Sequence, residues 1–152
     1  MLRRATLRDV LPIISLFRQS VLRATVRDYN ERQRKVWATR GSDPTRWKQR
    51  INDQYFLVAE RPEGLVGFGS ITPQGHLEVL YVHYAHQGQG IATRLLVALE
   101  VWAVGQKVFT IITEASRTAL PFFGRHGYQT VAEQQNKIAG EVLVNYRMQK
   151  NL

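Results

Sequence analysis

Residues 86–96 read HQGQGIATRLL, two glycines one residue apart running straight into an apolar pattern of helical period. Glycine suits a backbone that must turn sharply or lie close against another molecule. A helix start adds N–H groups without intrahelical partners and a partial positive charge. Together these features describe an anion site, most often one for phosphate. The same glycines also serve a plain strand-to-helix connection. Ile91, Leu95, Leu99 and Trp102 mark the buried face of the helix that follows.

Working outward, HLEVLYV (76–82) reads as the strand before the loop, and YFLVAE (55–60) and LVGFGSI (65–71), joined by RPEG, predict a hairpin. Downstream, KVFTIIT (107–113) predicts a strand, Thr118 to His126 a short helix closed by Gly127, and EVLVNYRM (141–148) a last strand. LRRAT begins the chain as a short strand, and Thr6 with Asp9 resembles a capping box before Val10, Ile13, Ile14, Phe17 and Val21 at helical spacing. Asn30 with Gln33 predicts a second cap, for a helix through Trp37 that stops near Gly41, and Asp43-Pro44 a third helix start. The order is helices, then antiparallel strands, then a single strand–helix–strand unit, an α+β (mixed α/β) sheet. With no internal repeat and no flexible linker, residues 1–152 read as a single domain.

The net charge of +9 is carried by one third of the chain: residues 1–50 hold thirteen Lys or Arg against four Asp or Glu, and residues 51–152 hold eight of each. Such a surface attracts nucleic acid, anionic cofactors or acidic substrates, or is a solvated helical face carrying Arg18, Arg23, Arg27, Arg32, Arg34 and Lys35. Cysteine is absent, which excludes disulfide and thiolate chemistry and is compatible with a reducing cytoplasm. The N-terminus becomes charged too early for a secretory signal, and no apolar run reaches membrane length, so a soluble cytoplasmic protein without a membrane partner is expected.

Two familiar phosphate motifs do not fit the glycines. A P-loop needs Lys and Ser or Thr directly after its last glycine, where Ile91 and Ala92 stand. A dinucleotide fingerprint finds its first two glycines in Gly88 and Gly90 and an acidic strand end in Glu114. Thr93, however, replaces its third glycine, five residues separate strand from Gly88, and too little chain follows Glu114 for a doubly wound sheet.

Strand Leu80-Tyr81-Val82, a short loop and Gln87-Gly88-Gln89-Gly90-Ile91-Ala92 at a helix start resemble the acetyl-coenzyme A signature of the GNAT superfamily of N-acetyltransferases, Gln or Arg, any, any, Gly, any, Gly or Ala. Ala119, Phe122, Gly127 and Tyr128 match that family's downstream helix and the Gly-aromatic pair ending it. The likeness covers essentially the whole chain in element order. Asn30, Trp37-Ala38, Arg46-Trp47 and PFF (121–123) look similar to a bacterial branch of the YafP type.

The resemblance implies a mostly antiparallel central sheet with flanking helices and a splayed parallel pair at the cofactor site. It implies acetyl-coenzyme A as cosubstrate, with its pyrophosphate against backbone N–H groups from Gln87 through Gly88, Gln89, Gly90, Ile91 and Ala92 to Thr93. The strand carrying Leu80, Tyr81 and Val82 would pair with the pantetheine arm, and its N–H groups would stabilise the oxyanion when an amine attacks the thioester. Ser116, where the family often has asparagine, and Phe123, where many members have the tyrosine that protonates the leaving thiolate, belong to the same site. Coenzyme A is a thiol with an ordinary pKa near roughly 8.5 and can leave with little help; Tyr128 or Tyr146 is the other candidate acid.

The attacking amine must lose a proton, so a base is expected near the thioester. Glu78 interrupts an apolar strand, and strict alternation places it on the face of Leu80 and Val82; His76, on the same face, is the second candidate. His83 and His86 form H-x-x-H but lack a further ligand nearby, so no metal site is expected. In this fold the basic first helices border the acceptor side, where Tyr29, Trp37, Trp47 and Tyr55 either line a pocket or pack in the core. The acceptor is then a primary amine of a small molecule or peptide, an acidic one suiting the basic surface, and the chain acts as a monomer or a homodimer. The alternative is a non-catalytic basic module of the same fold that binds nucleic acid or acidic proteins.

Overall fold

The computed structural model describes residues 1–152. Its elements run β1 (Leu2–Arg4), α1 (Val10–Ala24), α2 (Glu31–Arg40), α3 (Pro44–Asp53), β2 (Tyr55–Arg61), β3 (Gly64–Ile71), β4 (His76–Val82), α4 (Ile91–Gly105), β5 (Thr110–Ser116), α5 (Leu120–Arg125), β6 (Gln129–Ile138) and β7 (Glu141–Asn151), with 3-10 turns at Leu7–Asp9 and Tyr84–His86. All seven strands form one sheet in the order β1-β2-β3-β4-β5-β7-β6. Every pairing is antiparallel except β4 with β5.

Alternation along the strands divides the core between the two faces of the sheet. On β2, Leu57 and Ala59 pack with α4 residues Ile91, Leu95, Leu96 and Leu99. Phe56 and Val58 pack instead with Val10, Ile13, Phe17 and Val21 of α1 and Trp47 and Ile51 of α3. Helix α4 lies close on β3 because Gly69 faces it: a Cβ there would come within 3.1 Å of methyls of Leu80 and Leu99. That close seat brings the α4 N-terminus to the end of β4.

The caps follow their chemistry. Asn30 accepts from Gln33 N–H at 2.8 Å while Gln33 Oε1 accepts from Asn30 N–H at 2.9 Å, and Asp43 accepts from Thr45 N–H ahead of Pro44. At the first turn Asp9 accepts both the N–H and the hydroxyl of Thr6, and Arg3 holds the same carboxylate through two hydrogen bonds of 2.9 Å.

Two features depart from the sequence reading. The chain from 129 to 138, where the sequence reading placed no element, is a ten-residue polar strand of the sheet, so the C-terminal unit ends in a hairpin, β6 with β7. Strand β6 pairs on one side only and is exposed along most of its length, so no apolar alternation marks it. The strand expected at 107–113 runs 110–116 instead. Lys107 takes a positive φ of 61° and Val108 N–H bonds back to Ala103 O, so these residues finish α4 before the strand starts.

Candidate active site

The loop between β4 and α4 is built by its own polar groups. His83 Nδ1 accepts from Ala85 N–H at 3.1 Å, and Gln87 Nε2 donates to Val82 O at 2.8 Å, folding the loop back on the strand end. Gly88 (φ 74°) and Gly90 (φ 78°) take left-handed conformations, and Gly90 is the N-cap of α4. A Cβ at either would meet no protein atom within 4 Å, so both glycines face open space. The first α4 N–H with an intrahelical partner is that of Arg94, bonded to Gly90 O, which leaves those of Ile91, Ala92 and Thr93 at the open helix end.

These groups line a cavity of about 480 Å³. Its wall includes Leu80, Tyr81, Val82, Gln87, Gly88, Gly90, Ile91, Ala92, Thr93, Ser116 and Phe123, all singled out by sequence. Gln89 is not on the wall; its side chain turns away and accepts from Arg61 at 2.6 Å.

Strands β4 and β5 pair only at His76 with Ile112 and Leu77 with Thr113. Beyond that point they diverge, and β4 from Glu78 to Val82 has no strand partner on its β5 side. A second cavity, about 590 Å³, opens in the gap and continues between α2, β5 and the β6–β7 hairpin. Trp37, Leu80, Tyr81, Ser116, Ala119 and Phe123 line both cavities, so the two meet at the splay. Burial pushes the Tyr81 phenol at this junction up to about 12.

The base candidates face away from Leu80. Strand β4 carries a bulge: Ser70 pairs with Val79 and Ile71 with Leu77, leaving Glu78 without a partner. The bulge breaks the alternation on which the sequence reading relied. Leu80 and Val82 pack on the α4 side, whereas Glu78 reaches Arg50 of α3 on the opposite face, with Oε1 accepting from Nε at 3.1 Å. Burial raises the Glu78 carboxyl, but hydrogen bonds from Gln54 and Arg50 and the Arg50 charge outweigh it and hold it below the usual carboxylate range. Glu78 lines the second cavity. His76 does not; its Nε2 lies 3.0 Å from Glu114 Oε1.

Residues 25–150 match the family model of the acetyltransferase (GNAT) domain. The chain belongs to the GNAT family. It is 29% identical over 140 residues to the uncharacterized N-acetyltransferase YafP of Escherichia coli, covering 92% of this chain and 88% of that one. Among solved structures it superposes on a GCN5-related N-acetyltransferase from Rhodopseudomonas palustris described as "Aminotransferase, Class-II", with a TM-score of 0.95, 32% identity, and 100% and 95% of the two chains covered. The PaiA N-acetyltransferase of Thermoplasma acidophilum in complex with coenzyme A matches with a TM-score of 0.82 at 17% identity over 100% and 98% of the chains, a likeness of fold. Family membership makes this GNAT protein an acyltransferase that draws on acetyl-coenzyme A.

The alternative acids of this GNAT chain are engaged elsewhere. Tyr128 donates to Glu100 Oε2 at 2.9 Å, and burial beside that carboxylate raises its phenol far above the ordinary value. Tyr146 packs against the α4-side core, and neither tyrosine lines either of the two cavities that meet at the splay. Ser116 Oγ accepts from Ala119 N–H, which leaves its hydroxyl proton free to turn toward the junction. Of the aromatic candidates, Trp37 lines both cavities and Tyr29 the second. Trp47 is core at 1% exposure, and Tyr55 stacks on Trp102. No group of three or more His, Cys, Asp or Glu stands close enough to hold a metal. Sequence reasoning missed Arg50 as the partner of Glu78, and Asn145 in the second cavity. It weighed Glu114 only as a dinucleotide ligand, because nothing local marks contacts made across the sheet.

Proposed function

We propose that this GNAT protein transfers acetyl from acetyl-coenzyme A to a primary amine by direct attack of the amine on the thioester. The observation that carries the reading is the meeting of two cavities at the β4–β5 splay, one floored by a glycine cradle and a helix N-terminus, the other lined by Glu78. The open space at Gly88 and Gly90 fits a phosphate-bearing cosubstrate, since any side chain there would occupy the cradle.

In this reading the backbone N–H groups from Gln87 to Thr93 hold the pyrophosphate, and the unpaired edge of β4 hydrogen-bonds the pantetheine arm. Acetyl-coenzyme A supplies an activated acyl group. N–H groups of β4 near Leu80 and Tyr81 donate to the thioester oxygen as charge builds on it. The amine enters from the second cavity and gives up its proton to Glu78, directly or through water, with His76 as the alternative base. With Phe123 in place of tyrosine, the thiolate leaves without a phenol donor from α5, which its modest basicity allows.

Thermal-shift titrations with acetyl-coenzyme A, coenzyme A and NADH at fixed salt test the cosubstrate. Ligand at about a hundred times its Kd stabilises by roughly 2.7 kcal/mol. Saturable stabilisation by both coenzymes, followed by thioester consumption that depends on an added amine, is the expected result. Stabilisation by NADH alone, or thioester loss indifferent to every amine, would sink the proposal.

A further inference from the structure

Glu114 on β5 and Asn145 on β7 line the second cavity, and one oxygen of each, Glu114 Oε2 and Asn145 Oδ1, is buried without a hydrogen-bond partner. An unpaired buried acceptor is destabilising, more so when charged, so such atoms call for a donor. The strands place them together. Ser116 is the register partner of Asn145, and Glu114 lies two residues before Ser116 on the same face of β5, so the pair are diagonal cross-strand neighbours. Glu114 is fixed from its other oxygen, since Oε1 faces His76 Nε2 at 3.0 Å. Its rotamer is thereby set and Oε2 is left for something else.

We propose that Glu114 and Asn145 form an ammonium-reading subsite, which takes the N–H donors of a cationic amine that enters the second cavity. The proposal rests on the acetyltransferase reading in so far as that amine is the acceptor, and it defines the acceptor class as a primary alkylammonium. An ammonium carries three donors in tetrahedral array, enough to satisfy Glu114 Oε2 and Asn145 Oδ1 at once and keep one for water. Charge alone is insufficient here: the orphan atoms need protons to accept, so a quaternary ammonium of equal charge does not substitute. Trp37 and Tyr29 line the same cavity and supply apolar surface for the alkyl part.

The test uses the full chain, labelled with ¹⁵N, titrated with butylammonium and, separately, with tetramethylammonium. The side-chain amide resonance of Asn145 is identified by its loss in Asn145→Leu. Saturable movement of that resonance with butylammonium and not with tetramethylammonium, weakened at least about tenfold in Glu114→Gln, is the expected result. Equal movement with tetramethylammonium, or undiminished movement in Glu114→Gln, would overturn the subsite. Glu114→Asp serves as the second variant if Glu114→Gln does not fold, and coenzyme A thermal shifts verify that each variant keeps its cradle. Turnover of acetyl-coenzyme A with butylamine is measured alongside. Turnover in which Glu114→Gln leaves the amine KM unchanged argues against the subsite. A resonance shift without turnover by any amine leaves the subsite standing and removes the acetyltransferase reading instead.

Discussion

Arg50 Nε donates to Glu78 Oε1 across 3.1 Å, joining α3 to the bulge of β4. The contact decides how the proposed base behaves, because the guanidinium stabilises the carboxylate against proton uptake. Glu78 is accordingly ionised at neutral pH, ready to accept a proton but a weak base.

Glu78→Gln is expected to lower kcat by about a hundredfold while leaving the thermal shift with coenzyme A intact. The Glu78 carboxyl is depressed in the folded chain, so activity that needs its anion is present above the folded pKa and is lost as pH falls through it, below the ordinary carboxylate value. Arg50→Ala removes a lowering influence and moves the acid limb of kcat/KM to higher pH. A limb in the histidine range, unmoved by Arg50→Ala, would assign the proton to His76 instead.

Gly90→Ala adds a Cβ at φ 78°, where an L side chain costs about 1–2 kcal/mol, and projects it into the open cradle. Gly90→Glu adds a negative charge as well. The expected outcome is a modest fall in Tm for both, with the coenzyme A shift reduced in the first and abolished in the second. A full coenzyme A shift in folded Gly90→Glu would place the pyrophosphate elsewhere.

Phe123 is 3% exposed and lines both cavities, so a hydroxyl added at its ring edge has somewhere to point. Phe123→Tyr is expected to raise kcat, by much less than the roughly hundredfold a general acid supplies for a poor leaving group. Steady-state rates with a single amine check this, and a fall in both Tm and kcat would show that the ring edge is too tightly packed for the hydroxyl.

Asp9 accepts four hydrogen bonds, two from Arg3 and two from Thr6. The Arg3 bonds chiefly, with Thr6, hold its carboxyl below the usual range against the cost of burial. A depressed folded pKa contributes stability that is present above the unfolded value, near roughly 3.9, and is lost as pH falls through the folded one. Asp9→Asn is expected to cost about 2 kcal/mol at neutral pH and to flatten the stability profile below pH about 4, read by urea melts. An unchanged acid limb would assign that stability to another carboxylate.

What the sequence could express was local. The glycine spacing of HQGQG, the helical period after it, the Asn30–Gln33 cap and the apolar run of β2 depend on neighbours within a few residues, and each is legible as a string. Strand β6 was not, because a polar edge strand draws its order from pairing with β7 and has no buried face to write into its composition. The bulge at Glu78 was invisible for a related reason: one extra residue in a strand looks the same as any other until the partner's register is known.

The sequence by itself determined the phosphate-type loop, the helix it opens and the family resemblance, since turn chemistry and periodicity are properties of contiguous residues. Only the tertiary structure decided which face Glu78 takes, that Arg50 holds it from 28 positions away, and that His76 meets Glu114 beside a gap between two strands. Those relations are set by sheet register and by the packing of α3 against β2, long-range contacts that no single segment encodes.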